Sequence, residues 1–310
     1  MPCYHPIAAR KRSDGSVELL SHDYGDHQFK LPCGQCIGCR LERARQWALR
    51  CMHEASQHDQ NCFLTLTYDD EHLPPYGSLR HRDFQLFMKR LRKRVRRRIS
   101  YYMCGEYGDD YTKRPHYHAA IFNYSPEDRL YHSRGSTGEK CYISPLISDL
   151  WPFGHHLIGN LSYESAGYVA RYCLKKVTGD QAKEHYSVVD LHTGEIVQRQ
   201  PEYARMSLRP AIAKNWIRCY LSDVYPRNYC VVNNHKCSPP KYYGRQFVLC
   251  KLEQGVSRLD AEAELEAIKS AGILAAESHW SDNTDRRLAE REEVKLAQLK
   301  FLKRHGGSHE

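Results

Sequence analysis

His116-Tyr117-His118, followed by the apolar run Ala119-Ala120-Ile121-Phe122, constrains this chain more than any other segment. In a β-strand successive side chains point to opposite faces. His116, His118, Ala120 and Phe122 then share one face, and Tyr117 on the other anchors the strand in a core. Two imidazoles two residues apart on one strand face can grip a divalent metal, although an H-x-H pair taken alone also fits an ordinary surface or core pair. Residues 99–106 (ISYYMCGE) read as the preceding strand. If the two pair antiparallel, Glu106 lies roughly opposite His116 and His118. One carboxylate and two imidazoles would make a three-ligand site with positions open for a phosphate oxygen and water. Glu106 is also readable as a plain strand-end carboxylate, and Asp109 and Asp110 are competing donors.

The 310 residues carry a formal charge of +9, unevenly spread. Between Arg80 and Arg98 lie Arg82, Lys89, Arg90, Arg92, Lys93, Arg94, Arg96 and Arg97 against one acid, Asp83. Within this run, residues 83–95 read as a helix with Phe84, Phe87, Leu91 and Val95 as its apolar stripe. Like charges at i, i+4 destabilise a helix by a few tenths of a kcal/mol per pair. A polyanion relieves that repulsion, so the run points to nucleic acid. The longest apolar runs fall far short of a membrane span, and the opening MPCYHPIAARKR does not read as a secretory signal.

Thirteen cysteines, an odd number without a regular framework, suggest metal ligands and buried thiols in a reducing cytosol. Cys33-Gly-Gln-Cys36-Ile-Gly-Cys39 has the knuckle spacing that lets thiolates meet one zinc, and Cys3 would complete a four-thiolate structural site. His5 or Cys51 could stand in for Cys3, and an iron–sulfur cluster also uses closely spaced cysteines. Residues 41–57 read as a helix and Phe63–Tyr68 as an alternating strand. Residues 125–162 read as loop-rich with one short strand near 156–161, and 164–177 as a helix carrying Tyr168 and Tyr172 four residues apart. Residues 255–305 read as two helices around a break near 281–284.

These pieces resemble the HUH endonuclease superfamily, and within it the replication initiator proteins of microviruses, the gokushovirus-like branch in particular. FLTLTY at Phe63–Tyr68 resembles the first superfamily motif, RPHYHAAIF at Arg114–Phe122 the metal-binding second, and YVARYCLKK at Tyr168–Lys176 the two-tyrosine third. PCGQCIGCR at Pro32–Arg40 and the segment Arg43–Ala55 are similar to the start of the gokushovirus proteins, and SLRPAIAKNW at Ser207–Trp216 to a downstream segment.

The resemblance implies an α+β fold: a ferredoxin-like core with a central antiparallel sheet over 63–180. Around it would lie a Cys-rich segment and helix at 1–62, a family-specific extension at 181–250 and a helical tail at 251–310. It implies that His116, His118 and Glu106 hold Mg2+ or Mn2+, and that Tyr168 or Tyr172 attacks the scissile phosphate. Lys175 would stabilise the phenolate or the leaving oxygen, or else contact a backbone phosphate. The implied activity is nicking and rejoining of the origin of a circular single-stranded DNA virus genome in rolling-circle replication, through a 5′-phosphotyrosine. Arg90, Lys93, Arg94, Arg97 and Arg114 would contact the DNA backbone. The implied partners are single-stranded origin DNA, viral replicative-form DNA and a host helicase and polymerase, in the bacterial cytoplasm with no membrane. A plasmid-type initiator, relaxase or HUH transposase would share the chemistry. A non-catalytic zinc-containing nucleic-acid-binding protein would explain the cysteines and the basic helix, but not the ordered histidine and tyrosine motifs.

Overall fold

The computed structural model describes residues 3–20, 28–108, 113–135, 138–171, 176–232, 234–277 and 284–305. The chain opens with a small antiparallel sheet in which β1 (Ile7–Lys11) is flanked by β2 (Val17–Leu19) and β3 (Phe29–Leu31). Then come α1 (Ile37–Ala55), β4 (Asn61–Tyr68), α2 (His81–Val95), β5 (Ser100–Tyr107) and β6 (Pro115–Phe122). They are followed by β7 (Leu130–Arg134), β8 (Lys140–Ile143), α3 (Pro145–Leu150), β9 (Gly154–Gly159) and α4 (Tyr163–Ala170). The next stretch holds α5 (Gln181–His185), the hairpin β10 (Ser187–Val189) and β11 (Ile196–Gln198), and β12 (Tyr203–Met206). After it come α6 (Lys214–Cys219), α7 (Leu221–Val224) and the hairpin β13 (Cys230–Val232) and β14 (His235–Cys237). The chain ends in α8 (Lys241–Glu253), α9 (Arg258–Glu277) and α10 (Asp285–His305).

Seven strands form one antiparallel sheet in the order β12-β5-β6-β4-β9-β8-β7. This is an α+β fold with a central antiparallel sheet, consistent with an HUH endonuclease core. The two faces of the sheet carry different layers, and strand alternation decides which residue serves which. On one face Leu64, Leu66, Tyr68, Met103, Tyr117, Ala119 and Ile121 pack against Phe84, Phe87, Met88 and Leu91 of α2 and Ile147 and Leu150 of α3. Full burial of each large apolar side chain there contributes about 1.5–3 kcal/mol. On the other face Tyr102, Cys104, Ala120 and Phe122 meet Ala44, Ala48, Cys51 and Ala55 of α1 and Ala166, Val169 and Ala170 of α4. The small residues of α1 let α4 lie close to it and to the sheet.

Tyr117 ties the first face together. Its buried hydroxyl donates to the Arg80 carbonyl (2.9 Å), accepts from the Arg80 N–H (3.0 Å) and meets the Tyr68 hydroxyl (2.9 Å), which donates to Asp83 (2.8 Å). A third cluster packs Ile217, Val224, Tyr243, Phe247, Ala261 and Leu265 around Leu49, on the far side of α1. No helix among the described residues is long and apolar enough to cross a membrane.

The helices at 37–55 and 81–95 and the strands at 61–68, 100–107 and 115–122 match the expected elements to within a few residues. Two regions differ. Residues 125–162 hold β7, β8, α3 and β9 rather than loop and one strand, because β7 is largely exposed, β8 is mostly half-buried, and neither shows the alternation that marks a strand with one face in the core. The helix expected over 164–177 is described as far as Ala170, with Arg171 as its cap, and residues 176–178 are not helical. Tyr172 and Lys175 lie outside the described residues, as do Asp109 and Asp110.

Candidate active site

The β5–β6 register pairs Glu106 with His116 and Cys104 with His118. Because Glu106, His116 and His118 all point to the α1/α4 face, their ligand atoms lie within 4.8 Å of one another. Glu106 Oε1 is 3.2 Å from His116 Nε2 and 3.1 Å from His118 Nε2. Glu106 and His118 are buried, and His116 is half-buried. Burial alone would push the Glu106 carboxyl up, but its contacts with the two imidazoles outweigh this and hold it well below the usual carboxylate range.

The outer nitrogens fix which atoms face inward. His116 Nδ1 lies 3.1 Å from the Arg114 carbonyl, which can only accept, so Nδ1 carries the proton. His118 Nδ1 meets Thr65 Oγ1 at 2.9 Å and can donate to it in the same way. In neutral rings both Nε2 lone pairs then aim at the carboxylate. Three lone-pair donors at this spacing require positive charge between them, supplied by protons or by a cation. The donor set therefore fits a divalent metal, with backbone and threonine oxygens orienting the histidines behind it.

Tyr168 enters this centre from α4. Its hydroxyl donates to Glu106 Oε1 at 3.1 Å, and its ring stands edge-on to His118 with centroids 4.9 Å apart. Ser162 starts α4 with a reciprocal capping box to Ser165, which sets where the helix begins and hence which way Tyr168 faces. Phe63 borders Tyr168 and stacks on His118 at 5.6 Å. On the same sheet face the side chains of Thr67, His155 and Leu157 continue toward solvent. Sequence reasoning missed Thr65 and Phe63. The signal was the alternation of FLTLTY, but it became readable only with the pairing of Thr65 to His118 and Phe63 to Ala120.

The sulfurs of Cys3, Cys33, Cys36 and Cys39 also lie within 4.8 Å of one another. Cys36 and Cys3 are 3.8 Å apart, close to the edge of about 3.8 Å of a tetrahedron with Zn–S bonds of about 2.3 Å. Backbone N–H groups point at the sulfurs: Cys33 to Cys3 (3.2 Å), Cys36 to Cys33 (3.3 Å) and Tyr4 to Cys36 (3.4 Å). Gly34 provides the left-handed turn (φ +75°) between the first two knuckle cysteines. Burial would push the Cys36 thiol up, but the surrounding donors pull it down to about 6. This cluster can hold a metal. His5 instead contacts Glu292 of α10 (2.5 Å), and Cys51 is buried between α1 and the sheet.

Four of the five residues expected to contact DNA lie away from this centre, and Arg114 lies beside it. Arg90 is half-buried over Phe153 (5.8 Å), Lys93 and Arg94 are exposed, and Arg97 donates to Gln60 (2.6 Å). All four belong to α2 or the turn after it, on the sheet face opposite Glu106, His116 and His118. Arg114 donates to the Tyr68 carbonyl (2.9 Å) and pairs with Asp70, tying the ends of β4 and β6 together.

Residues 61–177 match the family model for replication-associated protein ORF2/G2P. The chain is 39% identical over 254 residues to replication-associated protein VP4 of Bdellovibrio phage phiMH2K, covering 78% of this chain and 76% of that protein. It is 33% identical over 272 residues to replication-associated protein ORF2 of Spiroplasma virus 4, covering 79% and 80%. Replication-associated protein ORF4 of Chlamydia phage 1 is 29% identical over 250 residues, covering 78% and 59%. No solved structure matches significantly. With relatives this similar along most of both chains, the protein belongs to the family of microvirus replication-associated proteins.

Proposed function

We propose that this protein initiates rolling-circle replication of a circular single-stranded DNA phage genome as a metal-dependent tyrosine endonuclease and strand transferase. The observation that carries this reading is the convergence of Glu106, His116 and His118 with the Tyr168 hydroxyl, 3.1 Å from the carboxylate, in a relative of phage replication proteins. The three donors would hold Mn2+ or Mg2+, which when bound polarises the scissile phosphate and offsets charge on its oxygens. A mixed imidazole and carboxylate set suits Mn2+ better than Mg2+.

Glu106 accepts the Tyr168 hydroxyl hydrogen bond and so orients its oxygen toward the centre. Tyr168 Oη gives up its proton, through Glu106 to water, and attacks phosphorus; the bond to the 3′ oxygen breaks, and that oxygen takes a proton back from water and leaves as a 3′-hydroxyl. The 5′ side stays on the enzyme as a phosphotyrosine, which conserves the phosphodiester for rejoining. In the reverse step a 3′-hydroxyl attacks and tyrosine leaves. Tyr172 would serve as the second nucleophile and Lys175 as the cation beside the phenolate or leaving oxygen. Phe63, Thr67 and Leu157 would receive the single strand along the open part of the sheet, where an aromatic face can stack on an unpaired base. The four cysteines would hold a structural zinc that fixes the entry to α1.

The test uses single-stranded oligonucleotides tiling the encoding replicon, with Mn2+ and the full chain. A denaturation-resistant protein–DNA adduct is expected. Loss of the adduct in Tyr168→Phe alone makes Tyr168 the first nucleophile, whereas loss only on adding Tyr172→Phe makes the two exchangeable. Tight DNA binding by metal-loaded protein with no adduct on any strand would overturn the enzyme reading in favour of a binding protein.

A further inference from the structure

The outward row of α2 is left unused by this site. Phe84, Phe87, Met88 and Leu91 bury the inner side of the helix in the core behind the sheet. Arg82, Lys89, Lys93, Arg94 and Arg96 are exposed on the side away from the sheet or at the helix end. Their basic neighbours are engaged: Arg80 with Asp83 (3.7 Å), Arg92 with the Ile99 carbonyl (2.8 Å), Arg97 with Gln60 and Arg98 with the Arg209 carbonyl. Among the described residues no carboxylate pairs with Arg82, Lys89, Lys93, Arg94 or Arg96. Lys89 and Lys93 stand at i, i+4, where like charges repel.

From Arg82 to Arg96 the row runs about 21 Å at about 1.5 Å per residue. A duplex presents roughly one phosphate charge per 1.7 Å, or about 12 along that length. A helix with its side chains is about 10–12 Å thick. The outer ends of these cations therefore lie a full helix and a sheet away from the histidines, and one nucleotide cannot touch both. The row lacks what other partners need. Phe84 and Phe87, the aromatics of α2, are fully buried, so no platform faces outward for stacking unpaired bases. A protein interface would want an apolar centre, and among Arg82, Gln85, Lys89, Lys93 and Arg96 the outer face has one apolar residue, the half-buried Leu86.

We propose that the outer face of α2 is a second DNA-binding surface, which holds duplex DNA flanking the nicked strand through its phosphates and shares no nucleotide with the Glu106–His116–His118 centre. The proposal rests on the nicking reading only in taking DNA as the polyanion.

The test compares the full chain with the triple variant Arg82→Gln, Lys89→Gln, Arg96→Gln. Binding of a fluorescent duplex of arbitrary sequence is followed by anisotropy across a salt series. Adduct formation is timed on a saturating, short single-stranded origin oligonucleotide. Losing three phosphate contacts should make the log–log salt slope shallower by about 2.7 and, at about 0.9 per phosphate, weaken duplex binding by roughly five-hundredfold near 0.1 M salt. The adduct rate should stay that of the parent. Duplex affinity within about twofold of the parent would overturn the proposal, and so would an adduct rate that falls in step with affinity. If the parent forms no adduct, the nicking reading fails by itself, while the duplex titration still reports on α2.

Discussion

Replacing Thr65 with valine keeps the shape of the side chain and removes its oxygen. That oxygen sits 2.9 Å from His118 Nδ1, and His118 is only 3% exposed, so water cannot take its place. The loss has two parts. A buried N–H left without an acceptor costs about 1–3 kcal/mol in the metal-free protein. The ring also loses the contact that keeps its proton on Nδ1 and its Nε2 lone pair facing Glu106. Outer contacts of this kind are worth about 10–100-fold in metal affinity, or about 1.4–2.7 kcal/mol at 1.36 kcal/mol per decade. Calorimetric titration with Mn2+ should therefore give a dissociation constant raised by one to two orders of magnitude in Thr65→Val. Thr65→Ser, which restores the oxygen, should bring it most of the way back. If the valine variant binds Mn2+ within about threefold of the parent, or serine is as weak as valine, then Thr65 does not orient His118.

Other positions give equally direct tests. Gly154 opens β9 at φ +145°, and a Cβ there would lie 2.3 Å from the Asp69 nitrogen and 2.6 Å from the Thr67 oxygen. Gly154→Ala should cost more than about 3 kcal/mol in urea unfolding, since the clash is with backbone at a conformation L residues avoid. Burial lowers His156 from 6.5 to about 4, and its Nε2 accepts from the Ser144 N–H (2.9 Å). Its folded pKa is below its unfolded one, so its contribution is full above about pH 6.5 and is lost as pH falls toward 4. By about pH 4.5 the parent should lose on the order of 2 kcal/mol more than His156→Gln, as read from urea unfolding at the two pH values. Metal analysis should find one zinc per chain in the parent and less in Cys36→Ser. Chelation should speed hydrogen exchange over residues 3–40 more than about tenfold while leaving β4–β6 protected.

The centre of the fold was legible because its signals are local. Strand geometry puts His116 and His118 on one face of PHYHAAIF, ISYYMCGE reads as the strand before it, and one assumption, antiparallel pairing, brings Glu106 to His116. The spacing of Cys33, Cys36 and Cys39 likewise reveals the knuckle, although only the fold selects Cys3 over His5 and Cys51. What stayed hidden depends on long-range choices. The edge strand β12 joins β5 from about a hundred residues away, through a four-residue stretch with no strong pattern. The apolar stripe of α2 shows that the helix packs, but not on which face of the sheet. Its placement behind the histidines separates basic residues and site that sequence alone had put together. Arg114, expected to contact the DNA backbone, is held by Asp70 and the Tyr68 carbonyl, partners that sequence could not reveal.

The alternation along β6 also limits how this gene can vary. Tyr117, Ala119 and Ile121 face one layer, and His116, His118, Ala120 and Phe122 face the other. One codon gained or lost inside the strand would reverse the orientation of every residue beyond it. An imidazole would then enter the layer beneath α2, and an aromatic or aliphatic side chain would take its place beside Glu106. Such a change cannot yield a well-folded but inactive protein, because the same displacement spoils packing and chemistry together. Substitutions can tune the centre one residue at a time, whereas length changes are confined to codons outside the paired strands.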